Sequence, residues 1–400
     1  MPYLSSDILK TGPLMNRLTV HCFDSAGALR SAAPAWDDLW QRSAVTVPSA
    51  QAELLLQWFE HFAPRARTRI LAVEQGGRFM AGLPLVEGRA GRLLRIGKSP
   101  GNDWFPSADL LADRSADAAV FDALVAALEG LGWPLVLFDA VDLESPRWQA
   151  FTDSLARLGN PWVSRDRFRI GIADIGRNWP DCQANWSSNH RRHMRKSAAR
   201  AIRQGALELK VYDQLPPEAV EALLQRGFEI EDSSWKGTRG SSVLKSPGIF
   251  EFYLRQAREL AARGQLQLVF LESAGRPIAF EYGWNAKGVY HSLKVGYDAA
   301  AADLSPGQLL RLCLLERLHA EGRHRWLDFL GPLTPAIEKW STRSYVLSRL
   351  VVATHSRLGR LMLEAYQWST GLRRQAAEPL GAPAASPAVG VAVPLAARID

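Results

Sequence analysis

Cysteine is scarce in this 400-residue chain: Cys22, Cys182 and Cys313 are odd in number and far apart. That spacing gives neither a disulfide framework nor a zinc site, and it fits a reducing cytoplasm. No apolar run approaches the length needed to span a bilayer. The first residues, Met1 to Asp7, lack the basic and apolar regions of a signal peptide. Equally absent are a metal-ligand cluster, a G-x-S-x-G elbow, a Walker-type loop and a dinucleotide fingerprint. Esterase-type, P-loop and nicotinamide-dependent chemistry therefore have no basis in the sequence.

What is present suits an ordinary globular protein. Hydrophobic residues make up 47% and charged ones 22%, enough for two cores at this length. The fourteen tryptophans are spread from Trp36 to Trp368, as core and cleft packing requires. A formal charge of +7 favours anionic partners, among them CoA, nucleotide-linked sugars, polyanionic glycans and nucleic acid.

Helical and strand periods alternate along the chain, predicting a mixed α/β protein. Residues 1–17 read as a flexible start, 18–175 as a first lobe and 183–370 as a second. The segment 375–400 is rich in Ala and Pro and reads as a disordered tail.

The second lobe holds the most specific pattern. Pro277–Trp284 and Val289–Tyr297 are two strand-like segments separated by turn residues 285–288, a hairpin signal. With Trp284 set opposite Val289, alternation puts Glu281 across from Ser292, with Tyr290 and Lys294 as diagonal neighbours. That gives one polar strip, lining a cleft or simply facing solvent. His291 falls on the apolar face, as a core histidine would. Next, Ser305-Pro306-Gly307-Gln308 before an apolar run reads as a capping box opening a helix. The free N–H groups of such a helix start, around Gly307, Gln308 and Leu309, suit a phosphate. A single carboxylate, Asp328, interrupts the apolar strand near Trp326–Leu330; it is a second acid–base candidate or a satisfied structural carboxylate. Upstream, Trp186, His190, Met194, Ala198 and Ile202 form the apolar stripe of a helix. Its remaining faces carry Arg191, Arg192, Arg195, Lys196, Arg200 and Arg203. These basic faces are either solvated or a platform for phosphates.

In order and spacing, Ser234-Trp235-Lys236-Gly237, Pro277-Ile278-Ala279, Gly296-Tyr297-Asp298, Ser305-Pro306-Gly307, Leu327-Asp328-Phe329-Leu330-Gly331 and Lys339-Trp340 resemble the CelD/BcsL-type GNAT acyltransferases, relatives of the double-lobed Fem-type peptidyltransferases. The resemblance implies tandem GNAT-like lobes, each a twisted mixed β-sheet flanked by helices. It implies an N-acyltransferase that moves an acyl group from acyl-CoA, such as acetyl-CoA, to an amino sugar or similar polar amine, without a metal. A link to exopolysaccharide or cellulose production comes with it.

On that reading Glu281 is the first candidate base and Asp328 the second, with Lys294 and Tyr290 beside them. Main-chain N–H groups around Leu293 and Val295 would hold the thioester carbonyl. Ser305, Gly307, Gln308 and Leu309 would hold the donor's phosphates. Trp235, Lys236, Lys339, Trp340, Arg192 and Arg195 would line the acceptor side. The loop offers Gly307 alone where the family pattern has several glycines. Two alternatives follow: a Fem-like transferase using aminoacyl-tRNA, and a silent GNAT scaffold. No DNA partner and no membrane span are expected.

Overall fold

The computed structural model describes residues 17–91, 94–176 and 178–376, with side chains up to residue 369. The expected flexible start and Ala/Pro-rich tail lie outside these residues, apart from Arg17 and a last helical stretch that runs on to Ala376.

The chain divides into two units. The first takes residues up to Val45, Ala50–Arg167 and the segment from Leu347 on. Its elements are β1 (Leu18–Phe23), α1 (Ala26–Arg42), α2 (Ala52–Phe62), β2 (Thr68–Gln75), β3 (Arg78–Ala90), β4 (Leu94–Lys98), β5 (Leu111–Ala112), α3 (Ala118–Glu129), β6 (Leu135–Val141) and α4 (Pro146–Leu158). Local signals explain the helix ends. Ser25 Oγ accepts from the Ala28 N–H to cap α1, and Gly159 at φ 74° closes α4. Strands β1 to β4 form an antiparallel meander, and β6 then joins β4 in parallel across the α3 crossover. The core lies between this sheet and α3 and α4. There Phe138, Trp148 and Phe151 meet edge to face. Their ring centroids are 5.2 Å apart for Phe138 and Trp148, 5.6 Å for Phe138 and Phe151, and 5.4 Å for Trp148 and Phe151.

Strand β7 (Trp162–Asp174) carries the chain into the second unit, Phe168–Val346 with the short segment Thr46–Ser49. There follow α5 (Trp179–Ala184), α6 (Ser188–Gln204), β8 (Leu207–Tyr212), α7 (Val220–Asp232), α8 (Trp235–Thr238), α9 (Ile249–Ala262), β9 (Leu266–Ser273), β10 (Arg276–Ala286), β11 (Val289–Tyr297), α10 (Pro306–Glu321), β12 (Trp326–Pro332), α11 (Pro335–Glu338) and β13 (Arg343–Ala353). Again four strands, β8 to β11, make an antiparallel meander, and the next, β12, joins the last in parallel after a helix. The order of the first unit is thus repeated, which gives two lobes of one topology. In the second lobe α6 and α10 cover one face of the sheet, with Met194, Leu309, Leu314 and Leu327 in the core. The other face packs Phe280 and Tyr282 against Phe228 of α7 and Tyr253 of α9.

The closing strands do not follow the lobe bounds expected from sequence. β7 begins in the first unit and pairs with β12 over Ile170–Asp174. β13 begins in the second and ends in the first, where Ser348–Ala353 pairs with β6. The final helix α12 (Arg357–Ala376) stays with the first unit. A second lobe ending near 370 is therefore corrected: it stops at Val346, because the last strand finds its sheet partner in β6.

Phe138 has no exposed surface, and its loss would empty the aromatic cluster. Phe138→Ala should destabilise the first lobe by about 3–5 kcal/mol, read as a fall in the urea midpoint with secondary structure retained at zero denaturant.

Candidate active site

An ion pair sits under the β10–β11 hairpin. Glu281, with no exposed surface, receives a hydrogen bond from Tyr290 Oη at 2.8 Å and another from Arg311 Nη1 at 3.2 Å. Arg311 Nη2 lies 2.7 Å from the second carboxylate oxygen and donates to Ser292 Oγ at 3.0 Å. The guanidinium also stacks 4.9 Å from the Phe329 ring. A buried carboxylate needs such partners, and Glu281 has them on the α10 face, sealed from solvent. The charge next to it pushes the Tyr290 hydroxyl, already raised by burial, well above its usual range.

The hairpin register differs from the expected one. Ala286 pairs with Val289 around a two-residue turn, Lys287 at φ 49° and Gly288 at φ 75°, so Trp284 faces His291. This is the twist-matched geometry that tight hairpins favour. Farther on, Gly283 pairs with Ser292 but Tyr282 with Lys294, which leaves Leu293 as a bulge. The extra residue flips the alternation. Lys294 therefore leaves the Glu281–Tyr290–Ser292 strip and stands 5.9 Å from the Tyr253 ring on the opposite face. Gly283 is required here: a Cβ would overlap the Tyr290 hydroxyl.

Beyond the bulge the sheet opens. β11 and β12 pair only at Val289–Trp326, Tyr290–Leu327 and His291–Asp328, although β11 continues to Tyr297 and β12 to Pro332. Main-chain groups of Leu293–Val295 thus border a wedge instead of a ladder. Lys236, expected at the acceptor side, is committed here: its Nζ donates to the Val295 carbonyl at 2.9 Å and to Glu231 Oε1 at 2.7 Å. Trp235 beside it is 40% exposed, with the Arg239 guanidinium 5.1 Å over its ring.

Asp328 stands where the two strands part. It keeps some accessible surface, yet its carboxyl group is packed round by protein. Such desolvation disfavours the charged form, and it pushes the Asp328 pKa up to about 6. The Leu330 N–H and Tyr345 Oη donate to it at 2.8 and 2.9 Å, and Arg343 adds a nearby positive charge, all opposing the rise. His291, its neighbour across the ladder, is fully buried and stays neutral, pushed down to about 3 by desolvation.

The start of α10 departs from the expected capping box. Ser305 adopts φ 56° after the 3₁₀ turn Ala299–Leu304, and makes no side-chain cap bond; its Oγ lies 3.3 Å from His193 Nε2. Gln308 instead accepts from Trp340 Nε1 at 2.8 Å. Gln308 and Leu309 turn their N–H groups to the Ser305 carbonyl. Space is open beside Gly307, where a Cβ would meet only Tyr297 at 4.0 Å. The basic helix α6 lies against this loop, with Arg200 Nη1 on the Asp303 carbonyl at 2.7 Å and Arg192 and Arg195 exposed. Lys339 is exposed and Trp340 buried in the core.

Two groups of expected residues are thus brought together: Glu281 with Tyr290, and Ser305, Gly307 and Gln308 with Trp340. Lys294 and Trp235 lie apart from both. Sequence reasoning missed Arg311, Tyr345 and Glu231. Arg311 alone left a signal, a single charge inside the apolar run Leu309–Leu315. Among the described residues no cluster of His, Cys, Asp and Glu is arranged to hold a metal, and no helix is long and apolar enough to cross a membrane.

Comparison with known proteins bears on the fold. Residues 188–336 match the model of the acetyltransferase (GNAT) domain. Among solved structures the fold is similar to that of FemX, at 11% identity and a TM-score of 0.59, over 83% of this chain and 98% of that one. It is similar to the C-terminal domain of a protein provisionally described as a lysylphosphatidylglycerol synthetase from Agrobacterium fabrum (14% identity, TM-score 0.51, 84% and 96% covered). It also resembles a conserved protein of unknown function from Bacteroides thetaiotaomicron (12%, 0.51, 80% and 97%). No curated protein matches the sequence. Residues 188–336 of the second lobe thus resemble a GNAT acetyltransferase domain, and the fold as a whole is of the kind seen in FemX.

Glu281→Gln would leave the Arg311 charge buried and unneutralised. Stability should fall by about 3–5 kcal/mol, and Arg311→Met added to it should recover part of the loss. An unchanged urea midpoint in the single variant would remove the ion pair from the scaffold.

Proposed function

We propose that the second lobe is an N-acyltransferase that moves an acyl group from acyl-CoA to a polar amine, with Asp328 as the base. The observation that carries this reading is the raised pKa of Asp328 at the point where β11 and β12 separate. A carboxylate titrating near 6 is ionised at neutral pH yet basic enough to take a proton from an ammonium or attacking amine. The thioester would lie in the wedge, its carbonyl on main-chain N–H groups of Leu293–Val295, which Lys236 orients through the Val295 carbonyl. The amine nitrogen bonds to that carbonyl carbon, its proton passes to Asp328, and the C–S bond breaks to release a thiolate, which takes up a proton from solvent. Donor phosphates would approach the open space at Gly307, beside the cations of α6.

Glu281, the first candidate from sequence, takes the structural role on this reading because Arg311 occupies it. The acceptor is an amino sugar or similar amine, in a cytoplasmic step of exopolysaccharide or cellulose production. A second reading, aminoacyl-tRNA as donor, draws support from the exposed arginines of α6, which suit a polyanion.

Turnover should rise with pH through about 6 and then level off, since the base must be ionised. Asp328→Asn should lower kcat by about 10²–10⁴-fold and abolish the rise. Tyr345→Phe removes a hydrogen bond that favours the ionised form, so the midpoint should move to higher pH. Stability checks the sign independently. The folded pKa exceeds the ordinary 3.8, so the wild type loses stability as pH climbs from about 4 to about 6. Asp328→Asn should not show that loss. An Asp328→Asn enzyme with full activity and the wild-type pH profile would overturn the assignment.

A further inference from the structure

The last helix, α12, is apolar on two sides. One side is docked: Leu363 is buried, and Met362 and Tyr366 pack with it against Ile96, Leu135 and Val351 of the first unit's sheet. The start of the helix is held close. Ser356 Oγ accepts from the Gly359 N–H at 2.9 Å, and a Cβ on Gly359 would lie 2.5 Å from the Pro134 carbonyl. The other side carries Leu358, Leu361, Ala365 and Trp368, spaced three, four and three residues apart, so they fall in one stripe. This stripe faces solvent: Leu358 is 47% exposed, Leu361 63% and Trp368 71%. Three of the four most exposed large apolar side chains among the described residues thus follow one line about 15 Å long.

Scattered exposed apolar residues are ordinary, but a contiguous stripe on a helix already anchored by its other side marks a contact surface. Charge says what covers it. Four arginines, Arg357, Arg360, Arg373 and Arg374, belong to α12 against the single Glu364. Arg357 and Arg360 are exposed in the first turn, next in sequence to Leu358 and Leu361. Arg165 of β7 adds a cation beside the helix, 6.0 Å from the Tyr366 ring. Leucine and tryptophan on one side, with arginine at the flank and the ends, is the composition of a helix that lies in the headgroup region of a bilayer. Indole settles at that depth because its body is apolar and its N–H can meet the wet side. A second copy of the chain fits less well. The stripe covers about one and a half heptads, short of the three or four that a coiled coil needs. Two such helices would also set arginines against arginines in either orientation.

We infer that the outer face of α12 docks on an anionic lipid surface, with Leu358, Leu361 and Trp368 at the upper acyl chains and the arginines at the phosphate headgroups. The helix lies along the surface without crossing it. This contact brings the protein to a membrane face, whichever donor and acceptor the second lobe takes.

Flotation of the full-length chain with vesicles of phosphatidylcholine and phosphatidylglycerol in equal amounts is the test. Wild-type protein should float with them, less with phosphatidylcholine alone, and less as salt rises. Leu361→Ser combined with Trp368→Ser changes two exposed side chains and should lower partitioning by about tenfold or more. Arg357→Gln combined with Arg360→Gln should lower it about fivefold per charge on the anionic vesicles and leave the weaker binding to phosphatidylcholine as it is. Both variants should keep the wild-type urea midpoint. The inference is overturned if the wild type does not float, or if both variants float as well as it does. In that event, a dimer that Leu361→Ser with Trp368→Ser splits into monomers would assign the stripe to a second copy. Flotation gained on removing residues 377–400 would assign it to the tail.

Discussion

The Arg311–Glu281 ion pair is the constraint on which the second lobe's site depends. Glu281 is fully enclosed and Arg311 is 7% exposed, so neither charge can be left alone without a heavy desolvation cost. Their contact therefore fixes α10 on the hairpin in both rotation and height. Because α10 is rigid, its first turn, Gly307 to Leu309, is then set relative to β11. Tyr290 and Ser292 complete the network, and Gly283 leaves the room that Tyr290 needs. On the other side of β11, Lys236 and buried Glu231 hold the parted strand through the Val295 carbonyl. A buried ion pair on one face and a part-exposed lysine on a buried carboxylate on the other thus flank the gap where main-chain pairing stops.

Much of this was legible in the sequence. The span of β11 follows from apolar and aromatic alternation after a turn signal, and the helix after Ser305 from its proline and apolar run. What escaped were features that break a period. Alternation cannot register a bulge, so Lys294 fell on the wrong face once Leu293 was skipped. The Ser-Pro-Gly-Gln pattern read as a capping box because composition does not reveal that a 3₁₀ turn forces Ser305 into the left-handed region. Gln308 was then free to bind Trp340, a residue 32 positions away.

The two carboxylates show the same limit in chemical terms. Glu281 and Asp328 look alike as single acids in apolar strands. Their environments separate them: one faces a guanidinium, while the other is desolvated with only hydroxyl and amide donors in contact. Arg311 was the missing information, and its importance came from a contact between distant segments. The basic helix α6 likewise divides its roles along its length, with Met194 and Ala201 in the core, Arg191 on the last carbonyls of α5, His193 and Arg200 on the loop before α10, and Arg192, Arg195 and Arg203 outward.

The exchange of closing strands gives the two repeats a shared fate during synthesis. The first lobe cannot pair β6 with its last neighbour until residue 353 has been made, long after its other strands have left the ribosome. Until then β6 presents an unsatisfied edge, the kind of surface that invites wrong partners. The second lobe needs β7, laid down before its own first helix. A gene cut between Arg167 and Phe168 would therefore yield a first polypeptide without the strand that completes β6, while that strand would be made on the other piece.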